Sequence, residues 1–392
     1  MKRILLILLA LTLLLLPSCT EEPDTGVTVH TSCVNTLRVA EYGDYIYSLT
    51  NGKLCRYNRK NGEIRSFCTD PDCSYECMFV APMEFTQAVD GRLYFYSSNI
   101  IKRENTLAYI DLVTEEVTAL RTFPRYGTSV MSWPIVENGW VYYMAQQLRE
   151  GGKAENPDDY EFCVFRMPMD GGKSEFVCTF INDVSERLYA VVDGKVIIKS
   201  NADFYSIHPA TGERKALFVP EEYGYFNHTE DIKYLDGYLY CRVSSEEIHP
   251  LSEYYPETHR KQYLLKIDVR TGETKQLVDV PVHSYTLTED TIYYTEQTVR
   301  VIYAPEDYKE HPEKVVVTGS YETLYACDLN GENRREVLTD PYLDLDVGSH
   351  CIIDNCMYGT IYQYDETEHK MVNFYGKVDL KTGEVTPATE VK

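Results

Sequence analysis

Polar turn residues and short apolar, tyrosine-rich runs alternate along the chain from about residue 37 onward. The first copy is Tyr-Gly-Asp-Tyr-Ile-Tyr at 42–47, and similar runs follow, the last two degraded, at 90–95, 138–143, 193–198, 236–240, 289–294 and 354–358. Gly and Asn tolerate the positive φ of a tight turn, and Tyr, Val, Ile and Phe suit a half-buried strand. Each copy therefore predicts a β-hairpin.

A second turn follows each of these runs, and the two together define the repeat. Its clearest form is Thr-Gly-Glu, at 211–213, 271–273 and 382–384, with related turns at 61–63, 114–116, 170–172 and 330–332. Two hairpins make four strands, and seven such units with a mean spacing of about 52 residues are typical of a β-propeller. We predict an all-β fold, a single seven-bladed β-propeller of four-stranded antiparallel blades.

The predicted blades differ in length because of insertions at one equivalent place, between the second and third strands. The longest insertions are 148–159, 244–260 and 303–318. We expect them to project from one face of the ring. The sequence leaves ring closure open between direct packing of the first blade on the last and an added strand from residues 27–33. The predicted blades are 37–80, 85–124, 131–181, 187–220, 231–280, 284–340 and 347–389.

The first residues resemble a bacterial lipoprotein signal. Lys2 and Arg3 precede an apolar stretch, and Leu-Pro-Ser-Cys follows, ending at Cys19. The apolar stretch of about 13 residues is shorter than the roughly 20 that a membrane-spanning helix needs. The resemblance implies cleavage before Cys19, a lipid on its thiol, and attachment to the extracytoplasmic face of the cell membrane. The expected organisation is a signal peptide at 1–18, a lipidated cysteine and tether at 19–36, and the propeller at 37–392.

The charge of the chain limits its partners. It has 61 acidic and 38 basic side chains, a formal net charge of -23, which argues against binding nucleic acid through a basic surface. We expect partners that are neutral, cationic or bridged by calcium. Asp340, Asp344 and Asp346, followed by Gly348, loosely resemble a calcium loop, although their spacing does not fit the EF-hand pattern. Ordinary solvation of a polar loop explains the same residues.

The cysteines raise a local question. Cys68, Cys73 and Cys77 are spaced C-x4-C-x3-C. Three thiolates can hold zinc, with Asp70 or Cys55 as a fourth ligand, whereas a disulfide is the more common outcome outside the cytoplasm. If Cys19 carries the lipid, eleven of the twelve cysteines remain, an odd number, so the chain cannot form a complete set of internal disulfides.

Three further cysteine pairs flank turns: Cys55 with Cys68, Cys163 with Cys178, and Cys351 with Cys356. A two-residue turn would place the members of each of the first two pairs opposite each other, whereas a bulged turn shifts the strands and separates them. The recurrence of Thr-Gly-Glu favours the bulged form. For the third pair we expect core thiols.

Tyrosine is unusually frequent, with 34 residues. Most tyrosines fall in the repeated strand motif, which indicates packing between blades. Those outside the motif are candidates for an aromatic binding face, because tyrosine is suited to sugars and to protein partners. These candidates are Tyr160, Tyr223, Tyr225, Tyr254, Tyr255, Tyr303 and Tyr308.

The segments 264–273 (Leu-Leu-Lys-Ile-Asp-Val-Arg-Thr-Gly-Glu) and 375–384 resemble the propellers related to the YWTD type of the low-density-lipoprotein receptor. The whole chain resembles a group of lipoproteins of Gram-positive anaerobes that carry such a propeller. In that group a cysteine-rich tract similar to 67–77 ends the first blade, with a histidine where this chain has Tyr75. The resemblance implies a fold and a location, and it assigns no reaction.

The sequence favours a non-catalytic binding module for a protein or glycan. It contains no Gly-x-Ser-x-Gly elbow, no P-loop and no Rossmann glycine fingerprint, and we expect no cofactor. The alternative is a lyase or hydrolase that acts on polysaccharide from a site in the central channel, since propeller enzymes assemble sites from dispersed residues. A convergent group of carboxylates and histidines would favour that alternative.

Overall fold

The computed structural model of the protein contains seven antiparallel β-sheets arranged as blades in a ring, and it confirms the predicted seven-bladed β-propeller. All described residues belong to one compact unit, Thr31–Lys392. The structure describes residues 38–70, 73, 77–80, 83–85, 88–99, 102, 104–124, 133–153, 156, 159–179, 187–200, 203–217, 223–226, 232–248, 260–303, 316–340, 342–365 and 370–391.

The first three blades follow the chain in order, each from its innermost to its outermost strand. Blade 1 contains β1 (Val39–Tyr42), β2 (Tyr45–Thr50), β3 (Lys53–Asn58) and β4 (Glu63–Ser66). Blade 2 has a divided inner strand, β5 (Met83–Glu84) and β6 (Ala88–Val89), followed by β7 (Arg92–Asn99), β8 (Glu104–Asp111) and β9 (Val117–Pro124). Blade 3 contains β10 (Ile135–Glu137), β11 (Trp140–Leu148), β12 (Tyr160–Pro168) and β13 (Glu175–Thr179).

The fourth and fifth blades continue the pattern. Blade 4 contains β14 (Arg187–Val192), β15 (Lys195–Ser200), β16 (Asp203–Ile207) and β17 (Arg214–Leu217). Blade 5 contains β18 (Tyr223–Phe226), β19 (Ile232–Leu235), β20 (Tyr238–Ile248), β21 (Arg260–Asp268) and β22 (Thr274–Gln276). Both β18 and β19 pair with β20, so blade 5 begins earlier than the predicted residue 231.

Blades 6 and 7 complete the ring, and blade 6 contains the two longest described strands, of 13 residues each. Blade 6 contains β23 (Ser284–Leu287), β24 (Thr291–Tyr303), β25 (Val316–Asp328) and β26 (Arg335–Thr339). Blade 7 contains β27 (Cys351–Ile353), β28 (Cys356–Asp365), β29 (Lys370–Asp379) and β30 (Val385–Pro387). A final short strand, β31 (Thr389–Glu390), belongs to the sheet of blade 1.

The Thr-Gly-Glu turns are four-residue loops with glycine in the last position, such as 269–272 between the paired residues Asp268 and Glu273, so the predicted bulged form is wrong. Hydrogen bonds that recur in these repeats explain the sequence of the turns. In blade 5 the Asp268 carboxylate accepts hydrogen bonds from the backbone N–H groups of Arg270 and Thr271, and Gly272, at φ 83°, donates to the Asp268 carbonyl. Glu273 donates its N–H to the Thr271 hydroxyl. Aspartate, threonine and glycine therefore each satisfy one requirement of the turn.

The strand register separates the cysteine pairs: in blade 1 the four-residue loop 59–62 sets it, and in blade 3 a bulge between Val164 and Phe165 shifts it. In blade 1 the partner of Cys55 across the strands is Ser66, and Cys68 lies beyond the pairing. In blade 3 Cys163 lies opposite Thr179, and Cys178 lies opposite Val164. The members of each pair are therefore separated, and none of the four cysteines forms a disulfide bond.

The core of the ring consists of apolar clusters between neighbouring blades. Among the described residues there are seven such clusters, one at each blade interface, including the interface between blades 7 and 1. Tyrosine dominates several of them: Tyr57 of blade 1 lies 5.7 Å from the ring of Tyr358 and 5.4 Å from that of Tyr375, both of blade 7. These contacts agree with the prediction that most tyrosines of the repeated motif pack between blades.

The ring closes through its C-terminal strand. β31 pairs in parallel with β4, the outer strand of blade 1, with Thr389 donating its N–H to the Gly62 carbonyl at 2.9 Å and Val391 donating to the Ile64 carbonyl at 3.0 Å. In the same turn between β3 and β4, the guanidinium of Arg59 lies 3.3 Å from the carboxylate of Asp354 of blade 7. Closure thus combines direct packing of blade 7 on blade 1 with an added strand. That strand comes from the C-terminus, whereas residues 27–33 lie outside the described residues.

The topology defines two faces of the ring. In each blade the second strand ends and the third begins at one face, here called the insertion face, and the connections between blades lie at the same face because the strands alternate in direction. Loops 149–159, 249–259 and 304–315 all connect second to third strands, as expected. Among the described residues there is no helix that could cross a membrane.

We predict that the β31 strand contributes to the stability of the ring. Replacing Thr389 by proline removes the N–H that bonds to Gly62 and should lower the free energy of unfolding by about 1 to 3 kcal/mol. Thr389→Ala keeps this N–H and should cost much less. Urea unfolding of the two variants measures the difference, and equal stabilities would show that β31 does not hold the seam.

Candidate functional site

A pocket lies at the insertion face where blade 7 meets blade 1, and we call it the seam pocket. Its volume is about 440 Å³, within the range of small-molecule sites. Its lining includes Thr50, Lys53, Cys55 and Ser66 of blade 1, Thr360, Asn373 and Tyr375 of blade 7, and Glu390 of β31. The strand that closes the ring therefore supplies one wall of the pocket.

The lining of the seam pocket is suited to binding more than to covalent chemistry. Burial raises the pKa of the Cys55 thiol, so Cys55 is protonated at neutral pH and is a poor nucleophile. Burial likewise raises the pKa of the Tyr375 hydroxyl. Lys53 and Glu390 provide one charge of each sign, and Asn373 provides an amide that can donate and accept hydrogen bonds.

Exposed aromatic side chains lie beside the pocket. Residues 342–344 add to the edge of β28: Tyr364 donates its N–H to the Tyr342 carbonyl at 2.7 Å, and Asp344 donates to the Tyr362 carbonyl at 2.9 Å. Across β28 and β29, Tyr364 lies opposite Met371 and Tyr362 opposite Asn373. Residues directly opposite each other point to the same side of a sheet. Two rows of side chains therefore run across these strands on one side of the sheet. The first row is Tyr342, Tyr364 and Met371, and the second is Asp344, Tyr362 and Asn373.

We call Tyr342, Tyr362, Tyr364 and Met371 the aromatic ledge. The rings of Tyr342 and Tyr364 stack, with centroids 6.4 Å apart and planes 17° apart. Tyr362 is 42% exposed and Met371 is 54% exposed, values that are unusual for large apolar side chains in this protein. Asn373 belongs to the second row and also lines the seam pocket, so the ledge and the pocket form one continuous surface.

A carboxylate–histidine pair lies on the other side of blade 7, between blades 6 and 7. Glu322 of β25 is only 7% exposed, and its Oε1 lies 3.0 Å from Nε2 of His283 at the start of β23. Burial, together with the nearby carboxylates of Asp344 and Asp346, raises the pKa of Glu322 to about 8, although a hydrogen bond from Thr295 and the charge of Arg242 oppose the shift. Glu322 is therefore largely protonated at neutral pH.

Hydrogen bonds fix the backbone around this pair. The Ser284 hydroxyl lies 2.9 Å from that of Thr295 and accepts a hydrogen bond from the backbone N–H of Val347. The connection between blades 6 and 7 is thereby tied to blade 6. Glu322 and His283 have the chemistry of an acid–base pair, the arrangement that the enzyme alternative requires.

The predicted calcium residues serve the local backbone. Asp340, Asp344 and Asp346 each accept a hydrogen bond from the N–H two residues further on, at 2.8, 3.0 and 2.9 Å. These contacts are typical of polar turns. Within the part of the chain that the structure describes, the three carboxylates do not meet closely enough to share a metal ion, whereas three thiols do.

The thiols that meet are those of Cys68, Cys73 and Cys77, whose sulfur atoms all lie within 4.8 Å of one another. They lie on the connection between blades 1 and 2, at the insertion face, and none of them forms a disulfide bond. Burial and the neighbouring thiols raise the pKa of Cys77 to about 12. The structure therefore brings the predicted cysteine cluster together.

The other cysteines take no part in this cluster. Cys356 is a free thiol, as expected, but Cys351 takes part in a disulfide bond, so the expectation of a core thiol at Cys351 was wrong. Cys351 is buried at the interface of blades 7 and 1, where a sulfur is well shielded.

The predicted binding tyrosines are scattered in the structure. Tyr160 begins β12 of blade 3 and is half-buried, and Tyr223, Tyr225 and Tyr303 lie in strands. Tyr254, Tyr255 and Tyr308, together with the lipidation residue Cys19, lie outside the described residues. The ledge tyrosines were not among the predicted binding residues because they lie in or beside β28, outside the long insertions. β28 and β29 have ten residues each, against six in β2 and β3 of the neighbouring blade.

Comparison with known proteins supports the fold. No family model matches the chain, and no curated protein matches it. A structure from a mechanistic study of two prolyl endopeptidases matches 91% of this chain and 50% of its own, with 11% identity and a TM-score of 0.50. This chain thus spans about half the length of that endopeptidase.

Two other structures also match. The β-propeller domain of the Trilobed protease from Pyrococcus furiosus is 13% identical, covers 79% of this chain and 85% of its own, and has a TM-score of 0.43. An oligogalacturonate lyase in complex with manganese is 11% identical over 88% and 87%, also with a TM-score of 0.43. At these identities the likeness concerns the fold alone. The chain is a β-propeller, and its resemblance to YWTD-type propellers and to lipoproteins stays a prediction.

We predict that Glu322 gives the protein an unusual pH dependence. Its folded pKa of about 8 exceeds the unfolded value of about 4.3, so between these values the folded state holds a proton that the unfolded state lacks. Stability should therefore fall as pH rises through this window. Glu322→Gln keeps a neutral side chain, so its free energy of unfolding relative to that of the wild type should rise by roughly 3 kcal/mol from pH 6 to pH 9.

Thermal or urea unfolding of both proteins at the two pH values measures this gain. Glu116→Gln, at an exposed glutamate, controls for the loss of one negative charge. Parallel pH curves for Glu322→Gln and the wild type would show that Glu322 is ionised in the folded protein throughout.

Proposed function

We propose that this protein is a lipid-anchored β-propeller at the extracytoplasmic face of the cell membrane, and that it is a non-catalytic module that binds a glycan. The observation that carries the binding role is the continuous surface formed by the aromatic ledge and the seam pocket. The aromatic rings of this surface lie beside Asn373 and Asp344. A saccharide can pack its C–H groups on the rings and form hydrogen bonds between its hydroxyls and the amide or carboxylate.

The charge of the protein narrows the ligand class. A formal charge of -23 and the carboxylates of Asp344 and Glu390 at the surface disfavour an acidic polysaccharide. A neutral or cationic glycan meets no such repulsion. The exposed tyrosines and methionine also suit a protein partner, which is the other ligand class that the binding experiment distinguishes.

A second candidate function is an enzyme acting on polysaccharide, and the pair of Glu322 and His283 favours it. A protonated carboxyl beside an imidazole can donate a proton to a leaving group. Incubation of the purified protein with neutral, cationic and acidic polysaccharides distinguishes the two functions. Product formation that Glu322→Gln abolishes would establish the enzyme, and binding without turnover supports the module.

We predict that the aromatic ledge contributes most of the binding energy. Tyr362→Ala should weaken binding to immobilised neutral or cationic oligosaccharides about fivefold or more, since a buried aromatic contact contributes about 1 kcal/mol or more. Phe176→Ala is a matched control, because Phe176 is an aromatic of blade 3 that is 54% exposed and lies away from the ledge. Equal losses for the two variants would contradict a site at the ledge.

We predict that Cys19 attaches the protein to the membrane. Cys19→Ala removes the thiol that the lipid would occupy and should shift the protein from the detergent phase to the aqueous phase in phase partitioning. Thr20→Ala keeps the thiol and should partition like the wild type. Retention of Cys19→Ala in the membrane fraction would refute lipid anchoring at this residue.

A further inference from the structure

The three thiols of the connection between blades 1 and 2 form a cluster that the proposed glycan site does not use. The sulfur atoms of Cys68, Cys73 and Cys77 form a triangle with each side no longer than 4.8 Å. Cys68 is buried, and Cys73 and Cys77 are half-buried. The cluster is therefore partly shielded yet still open to solvent on one side.

The fold holds the two ends of this connection together through one residue of β3. Phe67 donates its N–H to the Leu54 carbonyl at 2.9 Å, and Leu54 donates its own N–H to the Phe79 carbonyl at 2.8 Å. The rings of Phe67 and Phe79 lie 5.6 Å apart, and the ring of Tyr47 lies 6.1 Å from that of Phe67. Cys68 and Cys77 are thus brought close before any bond forms between them.

Further contacts orient the first half of the connection. Cys68 donates its backbone N–H to the Ser66 hydroxyl at 3.2 Å, and that hydroxyl donates to the Cys68 carbonyl at 3.0 Å. The Asp70 carbonyl accepts from the Cys73 N–H and from Lys53 Nζ, both at 3.4 Å. The backbone that carries Cys68 and Cys73 is therefore fixed by the propeller.

The geometry suits three ligands of one ion better than a disulfide. A disulfide joins two sulfurs at about 2.05 Å and does not attract a third sulfur to them. Sulfurs that share one tetrahedral zinc ion, at about 2.3 Å each, lie about 3.8 Å apart, a separation within the observed limit. We propose that Cys68, Cys73 and Cys77 together bind one thiophilic d10 metal ion, Zn²⁺ or Cu⁺, through their three sulfurs.

Binding is an exchange of protons for the metal. As each sulfur–metal bond forms, the thiol proton passes to solvent, and neither the metal nor sulfur changes its oxidation state. Three thiolates complete a trigonal site for Cu⁺, a soft ion. Zn²⁺ takes a fourth ligand, and the solvent-exposed side of the cluster leaves room for a water molecule there.

The test uses the purified full chain, reduced and handled without oxygen. It is titrated separately with Zn²⁺ and with Cu⁺, and with Ca²⁺ as an oxygen-seeking control ion, and bound metal is counted by elemental analysis. We expect one equivalent of Zn²⁺ or Cu⁺ and none of Ca²⁺. Bound metal should protect all three cysteines in the tryptic fragment 66–92 from alkylation, which mass spectrometry measures.

Variants separate a metal site from nonspecific thiol binding. Cys73→Ser should weaken metal affinity about 100-fold or more, beyond the loss that an outer-shell contact causes. Cys356→Ser, at a half-buried free thiol of blade 7, should leave affinity unchanged. Circular dichroism confirms folding of each variant, and Cys77→Ser replaces Cys73→Ser if the latter does not fold.

Three results would overturn the proposal: no stoichiometric binding of either thiophilic ion, equal affinities for Cys73→Ser and Cys356→Ser, or a disulfide between two of the three cysteines in protein that resists metal loading. Selective binding of Zn²⁺ or of Cu⁺ alone identifies which ion the site takes. Because Cys68, Cys73 and Cys77 line neither the aromatic ledge nor the seam pocket, failure of this proposal would leave the glycan proposal unaffected.

Discussion

The structure depends on burying both faces of every blade. Each sheet carries apolar side chains on two sides, so each blade must pack against two neighbours, and a row of seven blades satisfies this requirement only as a closed ring. The apolar clusters at the seven interfaces meet it, and tyrosines account for much of the contact. Closure between blades 7 and 1 is the one interface whose blades are not joined by consecutive strands, and β31 secures it.

The binding surface follows from the way the seam closes. β28 and β29 of blade 7 are ten residues long, whereas β2 and β3 of blade 1 are six. Near the central part of the seam the strands of blades 7 and 1 lie side by side, and Tyr358 and Tyr375 are buried against Tyr57. Further along, blade 7 extends past its neighbour, so the ledge stays exposed and the seam pocket opens beneath it. The difference in strand length between blades 7 and 1 thus leaves part of their interface open as the proposed binding surface.

The sequence was sufficient for the architecture because each repeat carries its own turn chemistry, as Asp268, Thr271 and Gly272 illustrate. The site depends on contacts between distant segments. Tyr362 is exposed because residues 342–344 pair with β28, and the pKa of Glu322 is raised by burial and by Asp344 and Asp346 from the next connection. Local patterns do not encode such pairings. The cysteine cluster was visible in the spacing, whereas its triangular arrangement depends on the two hydrogen bonds of Leu54.

Hydrogen–deuterium exchange of the protein, with and without a bound neutral or cationic oligosaccharide, tests the central claim most directly. The account predicts slower exchange on binding in peptides that contain residues 342–346, 360–364 and 371–375, and in the β31 segment, with other blades unchanged. Protection confined to the central channel or to another pair of blades would contradict a binding site at the seam.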